Sequence, residues 1–324
     1  MRLGIIGTGW IVKDFLPDLV KMEGLSVVSI MGSPSGYEKA EALSKEYGIP
    51  KAARDLEELC AAGIDTVYVA VPNNLHFLYC KRALEAGMNV IVEKPMTDDA
   101  GEAESLMMLA RKKKLFLFEA ITTLYMESYR KMQEWLPLIG EVKLAESRFC
   151  QYSSRYDNFK KGIIAPAFDP KKSGGALMDL KCYNIHFVMG MFGKPESISY
   201  YPNMERNIDT GGVLMMLYPS LIAVCTAAKD CSGDSGGTIR GTKGFIRSTS
   251  TPNCVGDVEL HLNDGTTEIF REESAGRRAA PEFAEFIRAV REKDYEFCYA
   301  QLEKSIEVNE VLNRARIQAG IRFR

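Results

Sequence analysis

Short apolar runs alternate with amphipathic segments through the first 120 residues of the chain. The apolar runs show no polar alternation, and the segments between them repeat apolar residues at i, i+3 and i+4, the spacing of one helix face. Strands that are apolar on both faces are typical of a parallel sheet covered by helices on each side. The pattern therefore predicts a doubly wound α/β domain over residues 1–120. Its predicted strands lie at 3–6, 25–31, 65–71 and 89–93.

The pattern changes after the segment LFLFEAI, which ends at residue 121. One helix-like segment over 129–138 is followed by a series of strand candidates with few helices between them, and a helix over 301–316 closes the chain. This succession favours a mostly antiparallel sheet. Residues 121–324 are therefore predicted to form an α+β domain. Its predicted strands lie at 142–149, 197–202, 212–218, 221–227, 236–248 and 258–264.

The composition is that of a globular protein whose charges nearly balance. Of 324 residues, 46% are hydrophobic, and 41 basic against 43 acidic residues leave a formal charge of -2. The longest basic run, at 111–114, ends an amphipathic segment, where cationic side chains suit the negative end of the helix dipole. We therefore expect no nucleic-acid partner.

The cysteines and the first residues indicate a cellular compartment. Eight cysteines are scattered without a C-x-x-C pair or a His–Cys cluster at metal-ligand spacing, which predicts thiols in a reducing compartment and no metal site. The start, MRLGIIGTGW, shows no signal-peptide pattern, and no run approaches the ~20 apolar residues that span a bilayer. We expect a cytoplasmic protein without a membrane partner.

A glycine-rich turn follows the first predicted strand. Gly7 permits a tight turn, and Gly9 lets the backbone approach a pyrophosphate at the N-terminus of the next helix. The third position of this fingerprint is Val12, where a small residue is usual. Because strand, glycines, helix and second strand fit one ~30-residue unit, the context favours dinucleotide binding over a purely structural turn. The predicted cofactor-binding residues here are Gly7, Thr8, Gly9, Trp10 and Ile11.

The end of the second predicted strand bears on the choice of cofactor. An acidic residue there would bind the 2′-hydroxyl of NAD, but this strand runs into Met31-Gly32-Ser33-Pro34-Ser35. The hydroxyls of Ser33 and Ser35 suit a 2′-phosphate, although no arginine lies nearby in the sequence. The pattern favours NADP and leaves NAD open.

The segment VPNNLH joins the next strand to its helix. Pro72 fixes the turn, Asn73 either caps the helix or hydrogen-bonds a ribose, and His76 falls in the first helical turn. Two interpretations of His76 stand side by side, a contact with the cofactor and a structural role in a capping turn.

A polar stripe marks the segment SGGALMDLKCYNIHFVMGMFG, residues 173–193. At 100° per residue, Asp179, Tyr183, His186 and Gly190 share one face of a helix that is otherwise mostly apolar and therefore buried. The stripe must face a cavity, or form a satisfied structural network. Lys181 and Asn184 lie off the stripe and indicate a partly exposed back of the helix.

Lysine, aspartate and tyrosine suit a hydride transfer to or from a carbon that bears oxygen. Such a reaction needs a group that gives or takes the hydroxyl proton, and a neighbouring ammonium favours the phenolate of a tyrosine. Lys94, in VIVEKPMTDD, ends the strand at 89–93, where it is either an ordinary charged residue or the catalytic ammonium. Asp179 would hold the substrate hydroxyl or orient Lys94. Glu93 and Pro95 would aim Lys94, and Glu93 and Lys94 are also predicted to contact the cofactor.

Together, the segments GIIGTGWI, VPNNLH, EKP and GGALMDLKCY resemble, in order and spacing, the Gfo/Idh/MocA family of oxidoreductases. The resemblance implies a Rossmann domain, an open-faced sheet domain for substrate binding and oligomerisation, and a nicotinamide cofactor. It implies that Lys94 lies beside the reacting carbon, with a cis peptide before Pro95.

The resemblance also implies roles in the second domain. The inositol dehydrogenase branch of the family has a histidine at the position of Tyr183. A tyrosine there resembles the branch of glucose–fructose oxidoreductase and dihydrodiol dehydrogenase, so Tyr183 is the expected acid/base. Asp179 and His186 would contact the substrate, which in this family is a sugar, a polyol or a sugar-like ring. Pairing of outer sheet faces would give a homodimer or homotetramer.

Two alternatives stay open at this point. A cofactor-binding regulator on the same fold would need no acid/base set. A dihydrodiol dehydrogenase-like enzyme would need a flatter pocket, for which the loop over 151–170 offers Tyr152, Tyr156, Phe159 and Phe168.

Overall fold

The computed structural model describes residues 1–274, 277 and 279–323. The chain divides into two compact units. Unit 1 consists of Met1–Ala120 and Arg277–Ile306, and unit 2 consists of Ile121–Gly276 and Glu307–Arg324. The sequence pattern had assigned the whole of 121–324 to one domain, whereas the segment from 277 to 306 belongs to unit 1.

Unit 1 is built on a six-stranded parallel sheet in the order β3-β2-β1-β4-β5-β6. This is the strand order of dinucleotide-binding folds, and it reverses direction between β1 and β4. The predicted doubly wound α/β domain is therefore confirmed. Its strands are β1 Arg2–Ile6, β2 Ser26–Met31, β3 Lys51–Ala53, β4 Thr66–Val69, β5 Asn89–Glu93 and β6 Leu117–Ala120, and its helices are α1 Trp10–Leu19, α2 Tyr37–Tyr47, α3 Leu56–Cys60, α4 His76–Glu85 and α5 Ala100–Lys113.

The predicted ends of these elements follow local chemistry. Asp99 accepts hydrogen bonds from the backbone N–H groups of Gly101 and Glu102 at the start of α5. The basic run at 111–114 forms the last turn of the same helix, as predicted.

Unit 2 contains an eight-stranded sheet in the order β14-β13-β12-β11-β7-β10-β9-β8. Every neighbouring pair is antiparallel except β7 and β10, so the predicted mostly antiparallel sheet is confirmed. Its strands are β7 Val142–Cys150, β8 Ser197–Glu205, β9 Ile208–Leu217, β10 Ile222–Ala228, β11 Gly236–Gly241, β12 Gly244–Ser248, β13 Val258–Leu262 and β14 Thr267–Phe270, and its helices are α6 Glu127–Trp135, α7 Tyr156–Lys160 and α8 Cys182–Phe192.

Helix α8 covers one face of this sheet. A Cβ atom at Gly237 would lie 2.3 Å from the ring of Phe187, so the helix approaches the sheet over a glycine. Asn184 donates a 2.9 Å hydrogen bond to the hydroxyl of Ser147 on β7. The opposite face carries exposed side chains, among them Leu144, Leu217, Ile222 and Tyr201.

Two long helices end the chain, α9 Ala279–Glu292 and α10 Tyr295–Gln318. The aromatic rings of α9 explain why this segment belongs to unit 1. Phe283 packs edge-on against Phe15 and Tyr68, and Phe286 stacks on Phe118 at 4.5 Å. The predicted closing helix is real but begins at Tyr295, six residues earlier than its predicted start.

Candidate active site

The turn after β1 has the geometry of a phosphate-binding turn. Gly7 has φ +133, and a Cβ there would lie 2.1 Å from the carbonyl oxygen of Ala70 on the neighbouring strand segment. At Gly9, before α1, no described atom lies within 4 Å of such a Cβ, so the helix N-terminus is open to a ligand. Trp10 is 61% exposed, whereas Val12 is buried in the core. The predicted cofactor turn therefore fits a pyrophosphate.

An arginine that the sequence pattern did not predict, Arg54, lies near the end of β2. Ser33 and Ser35 are exposed, with their hydroxyl oxygens 3.4 Å apart. Strand β3 pairs in parallel with β2, with Ala53 beside Met31, so the next residue, Arg54, lies at the same sheet edge. Its guanidinium lies 4.6 Å from the ring centre of Tyr37.

His76 joins the two loops that follow β4 and β5. Its Nδ1 atom lies 2.8 Å from the carbonyl oxygen of Pro95, and its Nε2 atom lies 2.9 Å from that of Val71. The side chain is 0% exposed, and burial lowers its pKa, although the two carbonyls act in the opposite sense. This geometry favours the structural interpretation of His76 over direct contact with a cofactor. Pro72 and Asn73 begin the short 3-10 turn before α4 and are half-buried.

The segment around Lys94 is held by buried acids. The hydroxyl of Tyr68 donates a hydrogen bond to Glu93, the last residue of β5. Glu119 accepts a 2.8 Å hydrogen bond from the backbone N–H of Met96. The peptide before Pro95 is cis, as predicted. Lys94 itself is half-buried at the carboxyl edge of the parallel sheet, where α/β folds bind their ligands.

In unit 2, Asp179 pairs with Lys229, which follows β10. Their Nζ and Oδ2 atoms are 2.7 Å apart, and Asp179 keeps 32% of its side-chain surface exposed. Tyr183 is one turn further along and lies against Phe149, with ring centres 6.1 Å apart. His186 is buried, and a Cβ at Gly190 would meet the hydroxyl of Tyr129 at 2.3 Å. Within the predicted stripe, Tyr183 and His186 are therefore buried, whereas Asp179 and Gly190 keep part of their surface exposed.

The spacing of 100° per residue that predicts this stripe does not apply along the whole segment. Residues Leu177–Lys181 form a π-helical turn before α8 begins. A π turn holds more residues than an α turn, so the 100° spacing fails across it. The predicted partly exposed back is wrong, since Lys181 and Asn184 are both 0% exposed and pack toward the sheet.

Lys181 lies on that packed side. Its Nζ atom donates to the carbonyl oxygens of Gly212 at 2.6 Å and Cys225 at 3.3 Å, and burial lowers its pKa to about 8. These two backbone carbonyl oxygens offset part of the cost of burying the ammonium.

Asp209 fixes where the π turn begins. It accepts hydrogen bonds from the backbone N–H of Leu177 at 2.6 Å and from the hydroxyl of Tyr200 at 2.7 Å. Burial raises the pKa of Asp209. Gly175, with φ +101, leaves room for this carboxylate, because a Cβ there would lie 2.1 Å from its Oδ1 atom. The double glycine of the motif is thus required by packing.

The aromatic residues of the 151–170 loop form a packed cluster instead of an open lining. Phe159 and Phe168 are 0% exposed and stack at 4.8 Å, so the expectation that they line a flat substrate pocket is wrong. Tyr156 stacks on both rings and donates a hydrogen bond to Glu205. Tyr152 keeps 40% of its surface exposed.

Across residues 1–274, 277 and 279–323, no helix has the length and apolarity to cross a membrane. In the same residues, no group of three or more His, Cys, Asp or Glu side chains is arranged to hold a metal ion.

A parallel sheet of this strand order with an open glycine turn places the chain among dinucleotide-binding proteins. Residues 1–120 match the model of the oxidoreductase family with an NAD-binding Rossmann fold, and residues 129–247 match the GFO/IDH/MocA C-terminal domain. The chain therefore belongs to the GFO/IDH/MocA oxidoreductases, as the sequence resemblance implied. It is an enzyme that uses NADP or NAD.

Characterised relatives span most of the chain. It is 28% identical to scyllo-inositol 2-dehydrogenase (NADP(+)) IolU of Bacillus subtilis over 99% of this chain and 98% of the relative. It is 28% identical to trans-1,2-dihydrobenzene-1,2-diol dehydrogenase of Mus musculus over 76% and 74% of the two chains.

Among solved structures, the fold matches KijD10, a 3-ketoreductase from Actinomadura kijaniata crystallised with NADP and TDP-benzene. The TM-score is 0.83 at 22% identity, covering 98% of this chain and 97% of that chain.

Proposed function

We propose that the protein transfers a hydride between a nicotinamide cofactor and a C–OH or C=O group of a sugar, a polyol or a sugar-like ring. The observation that carries this proposal is the fixed position of Lys94 at the carboxyl edge of the same sheet whose first turn is open at Gly9. In parallel α/β sheets this edge forms the ligand crevice. The similarity to an inositol dehydrogenase supports the substrate class.

Each proposed cofactor contact lies at this carboxyl edge of unit 1. The bound nicotinamide supplies the hydride acceptor or donor. The N-terminus of α1 binds the pyrophosphate, and Glu93 and His76 act indirectly by fixing the segment around Lys94. The residues proposed to contact the cofactor are Gly7, Thr8, Gly9, Trp10, Ile11, Ser33, Pro72, Asn73 and Lys94.

The proton chemistry is assigned to Tyr183 and Lys94. Tyr183 gives its phenolic proton to the carbonyl oxygen in reduction and takes the hydroxyl proton in oxidation. The ammonium of Lys94 stabilises the negative charge that develops on the substrate oxygen. Asp179 accepts a hydrogen bond from a substrate hydroxyl. His186, one turn beyond Tyr183 and buried in this structure, is the further proposed substrate contact.

Absorbance at 340 nm, followed with NADP and with NAD against sugars, polyols, inositols and cyclic diols, tests the function. We expect turnover with at least one sugar-like ring. Cofactor binding without turnover across this panel would contradict the proposal and favour the alternative of a cofactor-binding regulator on the same fold.

A cyclic dihydrodiol is the second candidate substrate, because the chain is 28% identical to trans-1,2-dihydrobenzene-1,2-diol dehydrogenase of Mus musculus. The burial of Phe159 and Phe168 weighs against an aromatic-lined pocket. A higher kcat/KM for trans-dihydrodiols than for inositols would favour this candidate.

NADP is the proposed preferred cofactor. Ser33 and Ser35 offer hydroxyls at the end of β2, and Arg54 offers a guanidinium that can bind a phosphate through two hydrogen bonds. The stacking on Tyr37 holds this guanidinium at the sheet edge.

The open face of the unit 2 sheet supports a homodimer or homotetramer. Leu144 and Ile222 lie beside each other on β7 and β10, and Leu217 follows on β9. All three are more than a third exposed, which supports the proposal that this face docks a second copy. The cytoplasmic location expected from the sequence stays a prediction.

A further inference from the structure

Lys229 joins three parts of unit 2 at one buried ammonium. Its Nζ atom donates to Oδ2 of Asp179 at 2.7 Å and to the carbonyl oxygen of Ala167 at 2.6 Å. It lies 4.4 Å from the ring centre of Phe168. Its backbone N–H donates to the carbonyl oxygen of Thr210 at 2.7 Å, which fixes the start of the side chain as well. Helix, loop and sheet therefore meet at this residue.

The two partners of the ion pair differ in how far a ligand can reach them. The side chain of Lys229 is 3% exposed, and that of Asp179 is 32% exposed. A ligand that contacts this pair therefore meets the carboxylate. The ammonium can act on the ligand only through Asp179.

We propose that Lys229 is a positioning residue that holds the carboxylate of Asp179 in one orientation for the substrate hydroxyl. This inference rests on the proposed function, in which Asp179 accepts a hydrogen bond from the substrate. A charge-assisted hydrogen bond from a buried ammonium restrains the carboxylate, because water has little access to the lysine side of the pair. The bond to Ala167 ties the same ammonium to the loop over 166–168, so loop and carboxylate keep a fixed separation.

The chain offers a matched control in Lys181. It is also a buried lysine of unit 2, two residues from Asp179, but its Nζ atom donates to the carbonyl oxygens of Gly212 and Cys225. Lys181→Met thus removes a buried ammonium without removing the pair under test. A general effect of emptying a buried lysine site would appear in both variants.

Steady-state kinetics test the proposal with three variants: Lys229→Met, Asp179→Asn and the two combined. The control set replaces Lys229→Met by Lys181→Met, alone and combined with Asp179→Asn. We expect Lys229→Met to lower kcat/KM by about 10- to 100-fold, mainly through KM for the substrate, because a misplaced group near the reacting centre costs about that much. The Kd for NADP, measured by calorimetry, should stay unchanged. In the Asp179→Asn background the further loss from Lys229→Met should nearly vanish, whereas the effect of Lys181→Met should be the same in both backgrounds.

Two results would overturn the inference. One is a loss from Lys229→Met that is equally large in the Asp179→Asn background. The other is full activity of Lys229→Met. If the wild-type enzyme turns over no substrate of the panel, the proposed function fails, and urea unfolding of the same variants then tests the inference. Shifts of the unfolding midpoint that are not additive in the double variant of Lys229 and Asp179 support it. Additive shifts refute it.

Discussion

The imidazole of His76 bridges two carbonyl oxygens, those of Pro95 and Val71, at 2.8 and 2.9 Å. These carbonyls belong to the loops that follow β5 and β4, and Pro95 is the residue after Lys94. The bridge thus links the proposed catalytic lysine to the neighbouring loop without lying in the site. It gives His76 a positioning role.

His76→Phe should therefore impair both stability and turnover. The phenyl ring fills a similar volume but removes the imidazole N–H that faces these carbonyl oxygens, and a buried carbonyl left without its donor costs about 1–3 kcal/mol of the free energy of unfolding. We expect kcat to fall by about tenfold or more, because Lys94 loses part of its support. Urea unfolding and 340 nm kinetics measure the two effects. His261→Phe, on the outer face of unit 2, is the matched control; equal effects of the two substitutions would refute the role.

Lys94→Ala and Tyr183→Phe should each abolish most turnover. Both remove a group proposed to act on the substrate oxygen, so kcat should fall by about 10²- to 10⁴-fold, the range of general acid–base catalysis. The Kd for NADP should change far less in Tyr183→Phe than in Lys94→Ala, because Tyr183 lies in unit 2 and the proposed cofactor contacts lie in unit 1. Calorimetric titration with NADP separates binding from catalysis. Wild-type kcat in either variant would remove that residue from the mechanism.

Arg54→Ala should reduce the preference for NADP. The guanidinium stacked on Tyr37 is the proposed partner of the 2′-phosphate, and a charged hydrogen bond of this kind is worth about 1.5–3 kcal/mol. The Kd for NADP should rise by about 10- to 100-fold, with little change for NAD. Calorimetry with NADP, NAD and 2′,5′-ADP measures this. Arg82→Ala, at an exposed arginine of unit 1 that pairs with Glu57, should leave all three affinities unchanged. A parallel loss of NADP and NAD affinity would contradict a phosphate role.

Local patterns were sufficient for the parts of the site that a single strand and its turn create. The glycines at 7 and 9 and Lys94 each follow an apolar run, so their place at the sheet edge could be predicted once the sheet was recognised as parallel. The cis peptide before Pro95 came from the family resemblance.

Residues brought together by pairing distant segments could not be predicted in the same way. Lys229 lies 50 residues after Asp179 and reaches it only because β10 packs beside β7 under the helix. Arg54 follows β3, a strand of three residues that leaves no clear apolar run. The π turn at Leu177–Lys181 has no periodicity of its own, so it shifted the predicted helix face.

Lys181→Met should change the stability of the protein in a pH-dependent manner. Burial lowers the pKa of Lys181 to about 8 from its ordinary 10.5, so at pH 7 folding carries a cost on the order of 3 kcal/mol for the buried charge. As pH rises from about 8 to 10.5, the folded state releases this proton and the unfolded state keeps it, so wild-type stability gains relative to the variant. We expect the free energy of unfolding of Lys181→Met, relative to that of the wild type, to be highest at pH 7 and to fall by pH 10.

Urea unfolding of both proteins at pH 7, 8.5 and 10 measures this difference. Lys243→Met removes an exposed lysine of the same unit and should show no comparable pH dependence relative to the wild type. A stability difference between wild type and Lys181→Met that stays constant over this pH range would show that burial does not lower the pKa of this ammonium.

Ile222→Glu should dissociate the proposed homo-oligomer. Ile222 is 41% exposed on the open sheet face, flanked by Leu144 and Leu217 on the neighbouring strands, so a carboxylate there would be buried without a partner in an assembled pair. Light scattering after gel filtration should give a multiple of 36.2 kDa for the wild type and 36.2 kDa for the variant. Ile317→Glu, at an isoleucine of α10 that is 62% exposed, should keep the wild-type mass. A wild-type protein of 36.2 kDa would refute the docking role of this face, and an assembled Ile222→Glu variant would move the interface elsewhere.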